Sequence, residues 1–176
     1  MKKKFLFLLI AILSLQVYGQ KEKPFSPGAE VAAIDTIADV APFKSILFVY
    51  QGSSHIVYHY KDFTKKLKKA FRKSDRTLGF NFDLDTTKGS KSDAEAVPKK
   101  LNNPNSFDLV CHVDIKYMKA WDRDLYKKRK QSYVLLLELY QKTQLKKRIA
   151  ITVRTYWTIS TQNKAISQFI FEELNQ

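Results

Sequence analysis

His55, His59 and Asp62 carry side chains that chemistry often recruits, and they fall close together in one segment. Their i, i+4, i+7 spacing places all three on one helical edge, within an arc of about 60° at about 100° per residue. Two imidazoles and a carboxylate match the donor types of a zinc site, so the catalytic reading they support is a metal-dependent hydrolase using His55 and His59. The segment has no His-Glu-x-x-His signature. Asp62 also precedes Lys66 by four residues, the acid-first order of an ordinary helix ion pair. The expectation is therefore no bound metal, no cofactor and no catalytic set.

Gly52-Ser53-Ser54 leads from a strand-like run into a helix-like one, where free backbone N–H groups hold either an anion or a simple cap. Ser53 or Ser54 beside His55 has the residue types of a nucleophile and base, without a Gly-x-Ser-x-Gly turn. Cys111 and His112 are strand neighbours, so their side chains point to opposite faces and form no thiolate–imidazolium pair. Asp83 with Asp85, and His112 with Asp114, share strand faces. Tyr133, Tyr140, Tyr156 and Trp157, near Arg148 and Arg154, have the composition of a stacking surface for sugars or bases, or of plain cross-strand packing.

Charge is the feature present in quantity. The 176 residues contain 31 Lys+Arg against 17 Asp+Glu, a formal net charge of +14. One excess lies in Lys61 to Lys73, where Lys65, Lys68, Lys69 and Arg72 fall on one helical side; the other lies in Lys116 to Lys130, with Arg123, Lys127, Lys128, Arg129 and Lys130. These nine residues are the candidates for holding an anion or a partner. Basic stretches attract polyanions, which outside the cytoplasm means acidic glycans, lipid headgroups or acidic proteins, so no nucleic acid is expected. A peripheral membrane contact fits the same charge. A single cysteine excludes a disulfide framework and a cysteine-based zinc cluster.

The segments that must position these residues follow from periodicity. Lys2, Lys3 and Lys4, the apolar run Phe5 to Leu15, and Val17 to Gln20 have the three-part layout of a secretory signal, with cleavage expected near Gly19 or Gln20. The run is short for a bilayer span of about 20 residues. Loss of residues 1–20 removes three lysines and no acid, taking the charge from +14 to +11. Residues 21–43 read as a tether or irregular lead-in, and residues 44–176 as a single domain. There, Ile46 to Tyr50 is a strand buried on both faces. Ile56, Tyr60, Phe63, Leu67, Ala70 and Phe71 recur at helical period. Phe80 to Leu84 alternates as a strand, and Asp93 is the expected cap of a short helix. Leu109 to Tyr117 is another strand, Tyr133 to Tyr140 and Ile149 to Ile159 form a hairpin joined by residues 141–148, and Ile166, Phe169, Ile170 and Leu174 mark a last helix with Ser160 or Thr161 near its start. The order β-α-β-(α)-β-β-β-α predicts an α/β (α+β) fold with a mixed sheet and helices packed on it.

Three stretches carry a family resemblance: Phe107-Asp108-Leu109-Val110, Val134 to Tyr140, and Lys164 to Leu174. Together with the element order they resemble the amino-terminal domain of TolB and the wider set of envelope domains that includes CsgG and penicillin-binding-protein activators. The lipid-attached cysteine of several such relatives has no counterpart here, since the single cysteine is Cys111. The resemblance implies a periplasmic or secreted, non-enzymatic domain that docks an envelope protein. The alternative from composition is binding of an anionic polymer such as lipopolysaccharide or an acidic glycan. The oligomeric state is left open.

Overall fold

The computed structural model describes residues 28–101, 106–116, 132–154 and 159–175. The expected signal and its cleavage point lie outside these residues. Six strands form one sheet: β1 (Ala29–Thr36), β2 (Ser45–Ser53), β3 (Thr77–Asp85), β4 (Leu109–Lys116), β5 (Ser132–Gln141) and β6 (Gln144–Arg154), in the order β1-β6-β5-β4-β2-β3. β2 runs parallel to β3 and β4, whereas the remaining pairs are antiparallel. Helices α1 (Val57–Ala70), α2 (Lys91–Glu95) and α3 (Ile159–Glu173) complete a mixed α+β fold, and α1 packs against α3.

β2 is buried from Ile46 to Tyr50 because strands flank it on both sides and both of its faces are covered. Ile46, Phe48 and Tyr50 face the helices. Tyr50 stacks on Tyr60 of α1 at 4.6 Å between ring centroids, and Phe63 and Leu67 are fully buried beside them. Cys111, Val113, Leu135, Leu137, Ile149 and Ile151 extend that core across the sheet. Burial of this apolar layer is the main stabilising term, at about 25 cal/mol per Å² removed from water.

Phe107-Asp108-Leu109-Val110 acquires a structural role. Asp108 Oδ2 accepts hydrogen bonds from Lys44 N, Ser45 N and Ser45 Oγ, each 2.9 Å long, and so ties the start of β2 to the start of β4. These donors favour the charged carboxylate and hold its pKa below the usual value. Phe107 lies on Gly79 of β3, where any Cβ would collide with the ring.

The structure corrects several expectations. Residues 29–36, read as lead-in, form β1 and pair with β6. A register irregularity between Val31 and Ala33 and exposure from Ala32 onward erase the alternation that would have marked a strand. The element order is thus β-β-α-β-α-β-β-β-α. The cap of α2 is Ser90, with Asp93 completing a capping box from the third helical position. The hairpin connection is only Lys142 and Thr143, both at positive φ (49° and 70°), a tight turn built without the usual Asn-Gly. Ile159, expected at the end of the second hairpin strand, belongs to α3.

Candidate functional site

α1 presents the basic surface. Its inner side is fixed by Tyr60, whose hydroxyl donates to Gln51 O at 2.9 Å, and by Thr64, whose hydroxyl donates to Tyr50 Oη at 3.0 Å. With that side anchored, Lys65, Lys68 and Lys69 stand exposed on the outer side, and Arg72 and Lys73 continue the surface in the following single 3-10 turn. Tyr58, Lys61, Lys65, Lys68 and Lys69 fall within an arc of about 100° at about 100° per residue. None of Lys65, Lys68, Lys69, Arg72 or Lys73 forms an ion pair with a described residue. Two lysines cover aromatic rings: Lys61 Nζ lies 5.6 Å from the Tyr58 centroid and Lys68 Nζ 5.3 Å from that of Phe80. Lys66, at the edge of the surface, pairs with Asp62 at 3.8 Å. Arg123, Lys127, Lys128, Arg129 and Lys130 lie outside the described residues.

His55, His59 and Asp62 go separate ways. His55 Nδ1 sits 2.7 Å from Ser53 Oγ. His59 is buried among Tyr60, Phe63 and Tyr133, and burial lowers its pKa to about 4, so the ring is neutral at pH 7. Asp62 points to α3, where Asn163 Nδ2 donates to it at 2.9 Å and Ser160 Oγ at 3.4 Å. No group of three metal-binding side chains forms among the described residues.

The strand-to-helix turn is likewise committed to structure. The Ser53 and Ser54 hydroxyls both donate to Lys88 O, and Gly89 packs onto Ser54 and His55 at a φ of +126°. With the Ser53 hydroxyl donating to Lys88 O, the matching tautomer of His55 donates Nδ1–H to Ser53 Oγ, the reverse of what a general base needs. Asp83 pairs with Lys100 at 2.7 Å, and Asp85 accepts from Thr87 and pairs with Lys88 at 3.5 Å. Asp114 pairs with Lys116. The Cys111 thiol is buried, which pushes its pKa up and leaves it inert. Of the aromatic set, Tyr133 lies in the core beneath the helices while Tyr140 stands on the opposite sheet face; Tyr156 and Trp157 lie outside the described residues.

No protein-family model matches the chain, and no curated protein does. Among solved structures, its fold is similar to two crystal forms of the PelC dodecamer from Paraburkholderia phytofirmans, in space groups C2 (a single-residue variant) and P6. Each superposes with a TM-score of 0.50, at 7% and 8% identity, covering 83% of this chain and 96% of that one. The likeness establishes the shared fold. Among the described residues, no helix is long and apolar enough to cross a membrane.

Proposed function

We propose that this chain is an exported, non-enzymatic binding domain of the cell envelope that holds an anionic envelope polymer, lipopolysaccharide or an acidic glycan, on the outer face of α1. The observation that carries this reading is the row of exposed cations, Lys65, Lys68, Lys69 and Arg72, without intramolecular ion partners among the described residues. Unpaired charges on a rigid element create a field that an extended polyanion meets without first breaking internal salt bridges. Export is supported by the three-part pattern of residues 1–20, and an envelope role by the resemblance to TolB and CsgG domains. PelC chains of this fold assemble as dodecamers. Repetition of the row in such an assembly would raise avidity for a repeating polymer.

The test replaces Lys65, Lys68, Lys69 and Arg72 together with Gln and compares this variant with a second Gln set at Lys127, Lys128, Arg129 and Lys130. Circular dichroism confirms folding, and sedimentation reads the oligomeric state. The expected result is a fall of about tenfold or more in binding to lipopolysaccharide or an acidic glycan for the α1 set, and a steep loss in the parent as salt shortens the Debye length to about 10 Å at 0.1 M. A folded α1 variant that binds as the parent does would overturn the reading. Intact-mass measurement of the native protein tests export, with residues 1–20 expected to be missing.

A further inference from the structure

On the sheet face turned away from α1 and α3, two depressions of about 480 and 680 Å³ adjoin along Phe107, Asp108 and Lys142, the smaller making the inner and the larger the outer part of a trough. The floor of its inner end is Leu47, Val49 and Val110, and its walls are Phe107 and Tyr140. Its outer end passes Gln141 and Gln144 to reach Lys146.

The walls are held in place. Gly79 lets Phe107 lie directly on β3, since any side chain there would displace the ring. Tyr140 meets the His112 ring edge-to-face at 5.3 Å, and its hydroxyl donates to Glu138 Oε2 at 3.3 Å. Glu138 is itself fixed by Arg148, whose Nε donates to Oε1 at 2.9 Å. Gln141 is clamped to Ala41 N and O at 3.0 and 3.1 Å. The acid in the trough, Asp108, is occupied by its three donors. Lys142 has no ion pair among the described residues, and Lys146 Nζ contacts only the Gln144 amide, at 3.2 Å.

A prepared aromatic wall over an apolar floor, with unpaired cations at one end, matches a ligand that has an apolar ring face and a carboxylate. An added peptide strand does not fit, because β4 and β5 beneath the trough are paired on both sides. We propose that the trough is a second binding site, for a uronic-acid unit of a glycan: the pyranose C–H face lies against Tyr140 and Phe107, and the carboxylate is held by Lys142 and Lys146. This rests on the anionic-polymer reading and names the sugar that the polymer would carry. It uses residues on the other side of the sheet, so the two sites can be tested apart.

The full chain, both as the parent and with the α1 Gln set, is labelled with ¹⁵N and titrated at low salt with a short oligogalacturonate and with neutral maltotetraose. The expected result is amide shifts at residues 110–112 and 140–146 with the uronate alone. Tyr140→Ala should lower that affinity by about tenfold, equivalent to about 1.4 kcal/mol. The double change Lys142→Gln with Lys146→Gln, confined to the turn and the start of β6, should do the same without touching the core. The α1 Gln set should leave these shifts intact while losing low-salt polymer binding. Absence of the shifts, full binding by the lysine double variant, equal binding of maltotetraose, or response to anionic vesicles in place of the oligosaccharide would each overturn the uronate site. The α1 result would stand separately.

Discussion

The two faces of the domain offer ligands different things. The outer side of α1 is a convex row of flexible cations with one exposed tyrosine, Tyr58, and its attraction to an anion is set by charge number and salt. The opposite sheet face is concave, and its aromatic rings are held by Gly79, Glu138 and Arg148, so shape acts together with the charges of Lys142 and Lys146 on what enters. A helix layer that spends its apolar side on the sheet has only long polar side chains left for solvent. The opposite strand face carries no helix among the described residues, so its side chains remain available there, and cross-strand register arranges them into walls.

The largest way to break this comparison is to remove the platform beneath the cations. Phe63→Ala or Leu67→Ala, both at fully buried positions, should cost about 2–5 kcal/mol, whereas Lys65→Ala on the other side of the same helix should change stability by less than about 0.5 kcal/mol. Denaturant titration measures both, and equal effects would invalidate the assigned face. A second change sharpens the inner boundary of α1. The pKa of His59 is lowered by burial to about 4, so its stabilising contribution is complete above the unfolded value of about 6.5 and is lost as pH falls through about 4. Over that window the parent should lose stability at about 1.4 kcal/mol per pH unit relative to a His59→Gln variant, to a total of roughly 3 kcal/mol. Parallel pH profiles would show that the ring is not held neutral. The smallest effect belongs to the sheet face. Gly79→Ala should displace the Phe107 ring and cost about 1–2 kcal/mol, while leaving polymer binding by α1 unchanged. Tyrosine and phenylalanine ring resonances in the trough report the displacement.

Periodicity made α1 legible: Tyr60, Phe63, Leu67 and Phe71 are buried where their spacing places them, and Lys65, Lys68 and Lys69 are exposed on the other side. α3 is less legible. Its spacing places Ile166, Phe169, Ile170 and Leu174 inward; Phe169 is only half-buried, and Gln162, Asn163 and Ser167 are buried there too, with Asn163 reaching Asp62 and Gln162 reaching Arg154 O at 3.1 Å. Local polarity gives no warning of a partner about one hundred residues away.

By itself the chain determined the strongly periodic elements, the α+β class and the side of α1 on which Lys65, Lys68 and Lys69 stand, since each is written in side chains a few residues apart. Tertiary structure alone decided that β1 joins the sheet, that His55, His59 and Asp62 disperse to three different partners, and that Phe107, Tyr140 and Lys142 line one trough. Phe107 and Tyr140 are brought together by the register of β2, β4 and β5, in which Leu47 opposes Val110 and Val110 opposes Tyr140. Strand pairing is a long-range choice governed by which faces can be buried together, and no local spacing in the sequence encodes it.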